Sequence, residues 1–277
     1  IAFDDMVYIN FDNNSQMKEL FSLDMRIERI ITGLELYVGH KIEPLNTLLV
    51  FDEVQEVPQA LAALKYFNEN APKYQIVCAG SLLGVALHGG TSFPVGKVEF
   101  LDLYPLSFTE FMCAMGRELF VELLEKQDFV MATTFKQEFI DLLKHYYYVG
   151  GMPEVVRNFA ADKDFGEVRE IQQRILDSYE QDFSKHAPNE IVPRIRMLWN
   201  SIPAQLTKEN KKFVYGIIKD GARAKDYELA LMWLSDCGLV HTVHRVRAPH
   251  RPLKAYEDLR AFKLFVLDVG LLSCMVQ

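Results

Sequence analysis

The chain has 277 residues, of which 49% are hydrophobic, and its formal net charge is -8 at pH 7. This length and composition suit one large domain or two to three small ones with well-packed cores. The negative charge argues against a protein that coats nucleic acid indiscriminately, although it leaves room for a local basic face. No run of about 18 apolar residues predicts a membrane span, and no secretory leader is visible. The four cysteines form no Cys-x-x-Cys pair, so we expect a reducing, cytoplasmic setting without structural zinc.

The first two-thirds of the chain alternate short β-rich runs with helical patterns, which is typical of an α/β fold. Residues 48–51 are continuously apolar, as expected of a strand buried on both faces of a parallel sheet. Pro58 stands in the first turn of the next predicted helix, where proline is well tolerated. Strands are predicted at residues 6–11, 48–51, 75–79 and 98–103, and helices at residues 17–37 and 58–68.

From residue 109 to about residue 190 the pattern is helical, which predicts a unit the size of a helical lid. The run Gly150-Gly151-Met152-Pro153 interrupts it, because two glycines and a proline cannot continue a helix. Two interpretations are open. The motif is either a hinge that lets the lid swing over a ligand or a plain helix breaker, which is the simpler of the two.

Residues 191–260 are predicted to contain helices followed by a two-stranded hairpin, the order of a winged-helix domain. Such a unit binds duplex DNA through its second helix, but many only pack against neighbouring domains. Acidic side chains on the predicted reading helix oppose DNA binding; they are Asp226, Glu228 and Asp236. Cations that suit phosphate contacts are Lys208, Lys211, Lys212, Arg223, Lys225, Arg245, Arg247 and Arg251. Both interpretations stay open.

The histidine and aspartate residues near the end of the chain do not form a recognisable metal site in the sequence. His241 and His244 are three residues apart on a predicted strand, which places them on opposite faces, and nothing completes a zinc set. Asp268 lies in residues 261–277, interpreted as the start of a further, truncated domain, and has no acidic partner that would indicate a nuclease. Neither feature carries a functional prediction.

The strongest chemical signal is the acidic end of the second predicted strand, Asp52-Glu53. Carboxylates at the carboxyl edge of a parallel sheet suit magnesium-nucleotide chemistry. Asp52 would hold the magnesium ion through water, and Glu53 would orient and polarise an attacking water. Acidic strand ends also serve solubility or helix capping, so the pair alone leaves both interpretations open. Gln55, just beyond the pair, is interpreted as an exposed loop amide.

Four ordered motifs then carry a family resemblance: LLVFDEVQEVP, IVCAGSLLG, SFPVGKVEFLDLYPLSFTEF and YYYVGGMPEVV. Together with PLKAYEDLRAFKLFVLDVGLL, they resemble a family of prokaryotic AAA-type P-loop ATPases in which a conserved domain of unknown function follows the ATPase core. The resemblance implies a core at residues 1–108, a helical lid at 109–190, a winged helix at 191–260 and the start of a nuclease-like domain at 261–277. It implies ATP and Mg²⁺ as ligands.

The resemblance also assigns residues. Asp52 and Glu53 take the acidic-motif roles, and Ser81, after the next strand, takes the place of the small polar residue that contacts the attacking water or the γ-phosphate. Many relatives carry Gly-Arg where this chain has Gly96-Lys97. Lys97 would neutralise phosphate charge as a point charge and not as a bidentate fork, or it is simply a solvated loop lysine.

The phosphate-binding motif G-x-x-x-x-G-K-[ST] is missing from the sequence. In this fold class the strand at residues 6–11 is the second one, so the first strand and the P-loop would precede Ile1. Because an incomplete sheet would expose inner edges, we expect about 30 to 50 further residues upstream. The alternative is a family member that has lost its ATPase activity. The chain as written is not expected to hydrolyse ATP unaided.

The sequence therefore predicts an α/β P-loop-type parallel sheet, without its first strand, followed by a helical lid and a winged helix. The predicted function is magnesium-dependent ATP hydrolysis coupled to movement of the lid and winged helix. The alternative is a non-catalytic DNA-binding or interaction protein on the same scaffold. A homo-oligomer, in which a neighbour supplies an arginine, is left open, and no membrane partner is expected.

Overall fold

The computed structural model describes residues 3–80, 96–208 and 212–276. Ser81 and Lys211, two of the predicted functional residues, therefore lie outside the described residues. The chain divides into two compact units, Ile1–Asp102 and Leu103–Gln277. Among the described residues, no helix has the length and apolar character needed to cross a lipid bilayer.

The first unit is built on a parallel sheet of three strands in the order β1-β2-β3. Asn10 lies opposite Asp52 in the β1–β2 register, and Phe51 lies opposite Cys78 in the β2–β3 register. The carboxyl ends of all three strands therefore meet at one edge of the sheet. The elements are β1 (Asp5–Asn10), α1 (Ser15–Leu23), α2 (Ile27–Val38), β2 (Thr47–Asp52), α3 (Pro58–Asn70) and β3 (Gln75–Cys78).

The helices of this unit all pack on one face of the sheet, where their apolar side chains form a single cluster with β1 and β2. Phe11, Phe21 and Phe51 are fully buried there, with ring centroids 5.4 to 5.9 Å apart and edge-to-face geometry. On the other face, Tyr8 and Val77 are each 51% exposed. The expectation that residues 48–51 are buried on both faces is wrong for the described residues, because the burial of β2 alternates.

Two further predictions for this part of the chain need correction. The single helix predicted at residues 17–37 is two helices, because Asp24 accepts hydrogen bonds from the backbone and guanidinium of Arg26 and turns the chain. The strand predicted at residues 98–103 does not form. In the described part of the chain these residues pair with no strand, and Leu101 and Leu103 are 92% and 93% exposed.

The second unit is mainly helical and ends in an antiparallel hairpin followed by a short helix. Its elements are α4 (Phe108–Ala114), α5 (Glu118–Glu125), α6 (Phe129–Thr134), α7 (Lys136–Val149), α8 (Pro153–Asp162), α9 (Phe165–His186), α10 (Val192–Leu206), α11 (Ala224–Asp236), β4 (Val240–Val246), β5 (Glu257–Val266) and α12 (Val269–Met275). Phe183 packs edge to face against both Trp199 and Trp233.

The predicted domain borders agree only partly with these units. The division falls between Asp102 and Leu103, not after residue 108. The border predicted at 260/261 falls inside β5, and α12 packs against α7 and α9 within the same unit. The lid, the winged helix and the border at 190/191 stay predictions, although α10, α11, β4 and β5 follow one another in the expected order.

Candidate functional site

The acidic pair lies at the carboxyl edge of the sheet, where hydrogen bonds beyond the strand ladder tie the strand ends together. Phe11 N donates to Asp52 O at 2.9 Å, which joins the end of β1 to the end of β2. Val54 N donates to Ala79 O at 3.1 Å, which joins the residues after β2 to those after β3. Asp52 and Glu53 therefore stand on a backbone that is fixed from both sides.

The backbone of Glu53 adopts a left-handed conformation, with φ 52° and ψ 41°. Non-glycine residues rarely adopt it, and the cost is on the order of 1–3 kcal/mol. The turn leads into a short 3₁₀ helix at Val54–Glu56 and then into α3. Val54 is fully buried and anchors this turn. Backbone strain of this kind clusters at functional sites.

Neutral donors hold the side chains of the acidic pair. The hydroxyl of Tyr8 donates to Asp52 Oδ2, and the backbone of Glu53 donates to Asp52 Oδ1 at 3.1 Å. The hydrogen bond to Asp52 raises the pKa of Tyr8 above its usual value. Gln55 Nε2 donates to Glu53 Oε2 at 2.5 Å. Sequence reasoning missed Tyr8 altogether and assigned Gln55 to an exposed loop.

The donor set fits a magnesium ion bound in the usual nucleotide manner. Among the described residues, no group of three or more His, Cys, Asp or Glu side chains could hold a metal by itself. Magnesium in nucleotide sites commonly takes one or two carboxylates and completes its shell with water and phosphate oxygens. Asp52 and Glu53 supply hard oxygen ligands of this type.

The structure does not bring Lys97 to the acidic pair. Lys97 Nζ lies 3.5 Å from Glu69 Oε1, near the carboxyl end of α3. Helix α3 has 13 residues and begins beside the acidic pair, so its far end lies roughly 18 Å away. Lys97 therefore lies towards the amino ends of the strands. This placement agrees with a surface ion pair and not with a phosphate contact.

In the second unit, the Gly150-Gly151 motif forms a tight turn around Asp268. Gly151 N donates to Asp268 Oδ2 at 2.6 Å, and Leu271 N donates to Oδ1 at 2.9 Å, which caps α12. Gly150 has φ +76°, and a Cβ on Gly151 would lie 2.1 Å from Leu106 O. Asp268 is 3% exposed; burial raises its pKa, while the backbone donors oppose the rise. These contacts agree with a packed helix breaker.

The hairpin of β4 and β5 carries six Lys or Arg side chains and two acidic ones between residues 241 and 263. Arg245 and Arg247 are paired with Asp258 at 2.6 and 3.9 Å, yet their side chains are 67% and 71% exposed. Helix α11 instead exposes Leu229 and Met232, which are 63% and 54% accessible. Exposed cations elsewhere in the hairpin are Arg251, Lys254, Arg260 and Lys263.

Comparison with known families divides the chain in two. Residues 2–112 match an AAA domain, and residues 140–277 match a domain of unknown function, DUF8612. No curated protein sequence matches the chain. The first match covers the acidic pair, which therefore lies in a region similar to an AAA domain.

Solved structures show the fold at low sequence identity. The Walker-type ATPase PABY2304 of Pyrococcus abyssi is 13% identical, with a TM-score of 0.56 over 98% of this chain and 84% of that chain. The Orc1 protein of Aeropyrum pernix in complex with DNA is 12% identical, with a TM-score of 0.30 over 99% and 78% of the two chains. The first similarity supports an ATPase-like fold, and the second is too low to carry an inference.

Proposed function

We propose that this chain supplies the acidic side of a magnesium–ATP site and takes part in ATP hydrolysis. The observation that carries the proposal is the Asp52-Glu53 pair at the carboxyl edge of a parallel sheet, inside the region that matches an AAA domain. Ligands of open α/β sheets bind at that edge. The left-handed turn at Glu53 and the hydrogen bonds to both carboxylates support a prepared site.

The residues take distinct roles in this proposal. Asp52 holds magnesium through water, and the bound ion neutralises charge on the phosphate oxygens. Glu53 orients and polarises the attacking water. Ser81, which follows β3, contacts that water or the γ-phosphate. Lys97 keeps no role, because it is paired with Glu69 at the other end of α3. The sequence holds no G-x-x-x-x-G-K-[ST] motif, so the proposal assigns only the acidic side.

The test is ATP turnover by the complete protein that the reading frame encodes, with Glu53→Gln compared with wild type. We expect the variant to bind ATP with unchanged affinity. Its turnover should be at least about 100-fold slower than that of wild type, because a general base contributes about 10²- to 10⁴-fold. Glu56→Gln is the matched control, since Glu56 lies in the same turn and is also partly buried. Equal turnover in Glu53→Gln and wild type would remove Glu53 from the mechanism.

The basic hairpin favours a second function, contact with duplex DNA. Six Lys or Arg side chains lie between residues 241 and 263, against two acidic ones, in a chain whose net charge is -8. Because α11 exposes apolar and acidic side chains, we propose that the hairpin, and not the predicted reading helix, contacts phosphates. Phosphate contacts position a protein on DNA without reading sequence.

Fluorescence anisotropy with a labelled duplex tests this second function across a salt series. The double variant Arg247→Ala/Arg251→Ala should bind about tenfold more weakly at low salt, and the slope of log affinity against log salt should fall by about two. Lys136→Ala/Arg157→Ala removes two exposed cations elsewhere in the second unit and serves as the control. Absence of duplex binding by the wild type at low salt would discard the function.

A further inference from the structure

Gln55 lies two residues beyond Glu53, and the proposed function gives it no task. Its Nε2 atom donates to Glu53 Oε2 at 2.5 Å. An ionised carboxylate only accepts hydrogen bonds, so this contact fixes which end of the amide faces Glu53. The amide is therefore oriented by the acidic residue that it contacts, with Oε1 turned the other way.

The far end of the same amide is confined by the end of β3. A Cβ on Gly80 would lie only 2.2 Å from Gln55 Oε1, so a side chain at position 80 would displace the amide. The backbone of Gly80 is outside the left-handed region, so space and not conformational freedom favours glycine here. Oε1 is buried and has no hydrogen-bond partner among the described residues. Gln55 thus lies between Glu53, to which its amide donates, and Gly80, which leaves space for its Oε1 atom.

The backbone around Gln55 is also fixed. Val54 N donates to Ala79 O at 3.1 Å, and Glu56 N donates to Glu53 O at 3.0 Å. With its main chain held and both ends of its amide confined, Gln55 loses little further freedom when it holds Glu53. A free glutamate side chain samples several rotamers, and restricting it in advance lowers the entropic cost of using it.

We propose that Gln55 is a positioning residue for Glu53, and that Gly80 leaves the space that the Gln55 amide needs. The inference rests on the proposed function, in which Glu53 orients the attacking water. A neutral amide suits this task because it fixes the carboxylate without adding a positive charge that would compete with magnesium. Gln55 acts through Glu53 and contacts no reacting atom itself.

The test perturbs the contact from both ends in the complete protein. Gln55→Met keeps the side-chain length but cannot donate, and Gly80→Ala pushes the amide away. Each should lower kcat for ATP about tenfold, as expected for a lost hydrogen bond to a charged group, while the dissociation constant for ATP stays unchanged. Controls are Gln59→Met, at an exposed position of α3, and Gly216→Ala, where a Cβ meets nothing within 4 Å.

A double-mutant cycle separates positioning from a general structural effect. In the Glu53→Gln background, Gln55→Met should cause no further loss of kcat, because the group on which it acts is gone. A second readout follows the Gln55 side-chain amide by ¹⁵N NMR, assigned by its absence in Gln55→Met. Its resonance should shift in Glu53→Ala and stay in place in Glu56→Ala.

The outcomes distinguish this inference from the proposed function. The positioning role is overturned if Gln55→Met turns over ATP at the wild-type rate, or if the Gln55 amide resonance does not shift in Glu53→Ala. Either result leaves the proposed ATP hydrolysis standing. Additive losses in the double-mutant cycle overturn it as well. A complete wild-type protein that neither binds nor hydrolyses ATP overturns the proposed function, and the positioning role with it.

Discussion

Asp52 and Glu53 are neighbours in sequence, but different donors hold their side chains. Tyr8 reaches Asp52 from the adjacent strand, and Gln55 reaches Glu53 from the following turn. The strand end itself was predictable, since an apolar run ending in two carboxylates is a local pattern. The donor from β1 was not, because the pairing of Tyr8 with Val50 depends on the register of two parallel strands.

The contact between Gly151 and Asp268 also could not be predicted from a local sequence pattern. Each was visible in the sequence as part of a separate motif, but nothing local connects residues 117 positions apart. The structure shows why the turn needs glycine. Gly151 packs against the backbone of Leu106, and its N–H group is one of the donors that satisfy a buried carboxylate. An unsatisfied buried carboxylate would be costly.

Gly151→Ala should therefore destabilise the second unit strongly. Its Cβ would lie 2.1 Å from Leu106 O, a backbone atom that cannot move away cheaply. We expect a loss of about 2–4 kcal/mol in the free energy of unfolding, measured by chemical denaturation. Gly216→Ala, with open space around its Cβ, should change stability by less than about 1 kcal/mol. Similar losses in both variants would show that close packing at Gly151 is not the cause.

Among the elements, the helices and strands with strong periodicity agree well with the sequence, and the discrepancies have local physical causes. The predicted helix at 58–68 is observed at Pro58–Asn70, with proline in its first turn. The break between α1 and α2 comes from Asp24, whose carboxylate binds Arg26 and Arg29. A side chain that hydrogen-bonds to neighbouring residues offers the backbone an alternative to the helix. The spacing of apolar residues does not predict such a break.

The strand predicted at residues 98–103 shows a different limit of prediction from sequence. Its apolar, β-rich composition is real, but a strand requires a partner edge as well as a composition. Among the described residues β3 pairs only with β2, and residues 98–103 pair with no strand. β-propensity reports how well a side chain suits a sheet surface, so it cannot reveal whether a neighbouring strand is present.

At the scale of the whole molecule, two units carry separate buried cores. The core of the first unit joins the sheet to α1, α2 and α3, and one in the second unit joins α4 and α7 to α8 and α9. The change from α/β to helical pattern was predictable from the sequence, whereas the two packed units divide between Asp102 and Leu103, six residues before the border predicted at 108. A border depends on which residues contact each other, and composition changes only gradually across it.

The two tryptophans, Trp199 and Trp233, both lie in the second unit, so their fluorescence reports on that unit alone. Because each unit has its own core, a core substitution should mainly affect its own unit. Leu198→Ala, at a fully buried position of α10, should lower the denaturant midpoint of the fluorescence transition, with a cost of about 2–5 kcal/mol.

Phe21→Ala, in the aromatic cluster of the first unit, is the matched counterpart. It should cost about 3–5 kcal/mol there and lower the midpoint of part of the far-ultraviolet circular dichroism signal. The fluorescence midpoint should stay where it is in wild type, because the altered core contains no tryptophan. Equal shifts of the fluorescence midpoint in Phe21→Ala and Leu198→Ala would mean that the two units unfold as one cooperative structure. In that case the division between Asp102 and Leu103 would describe packing without describing stability.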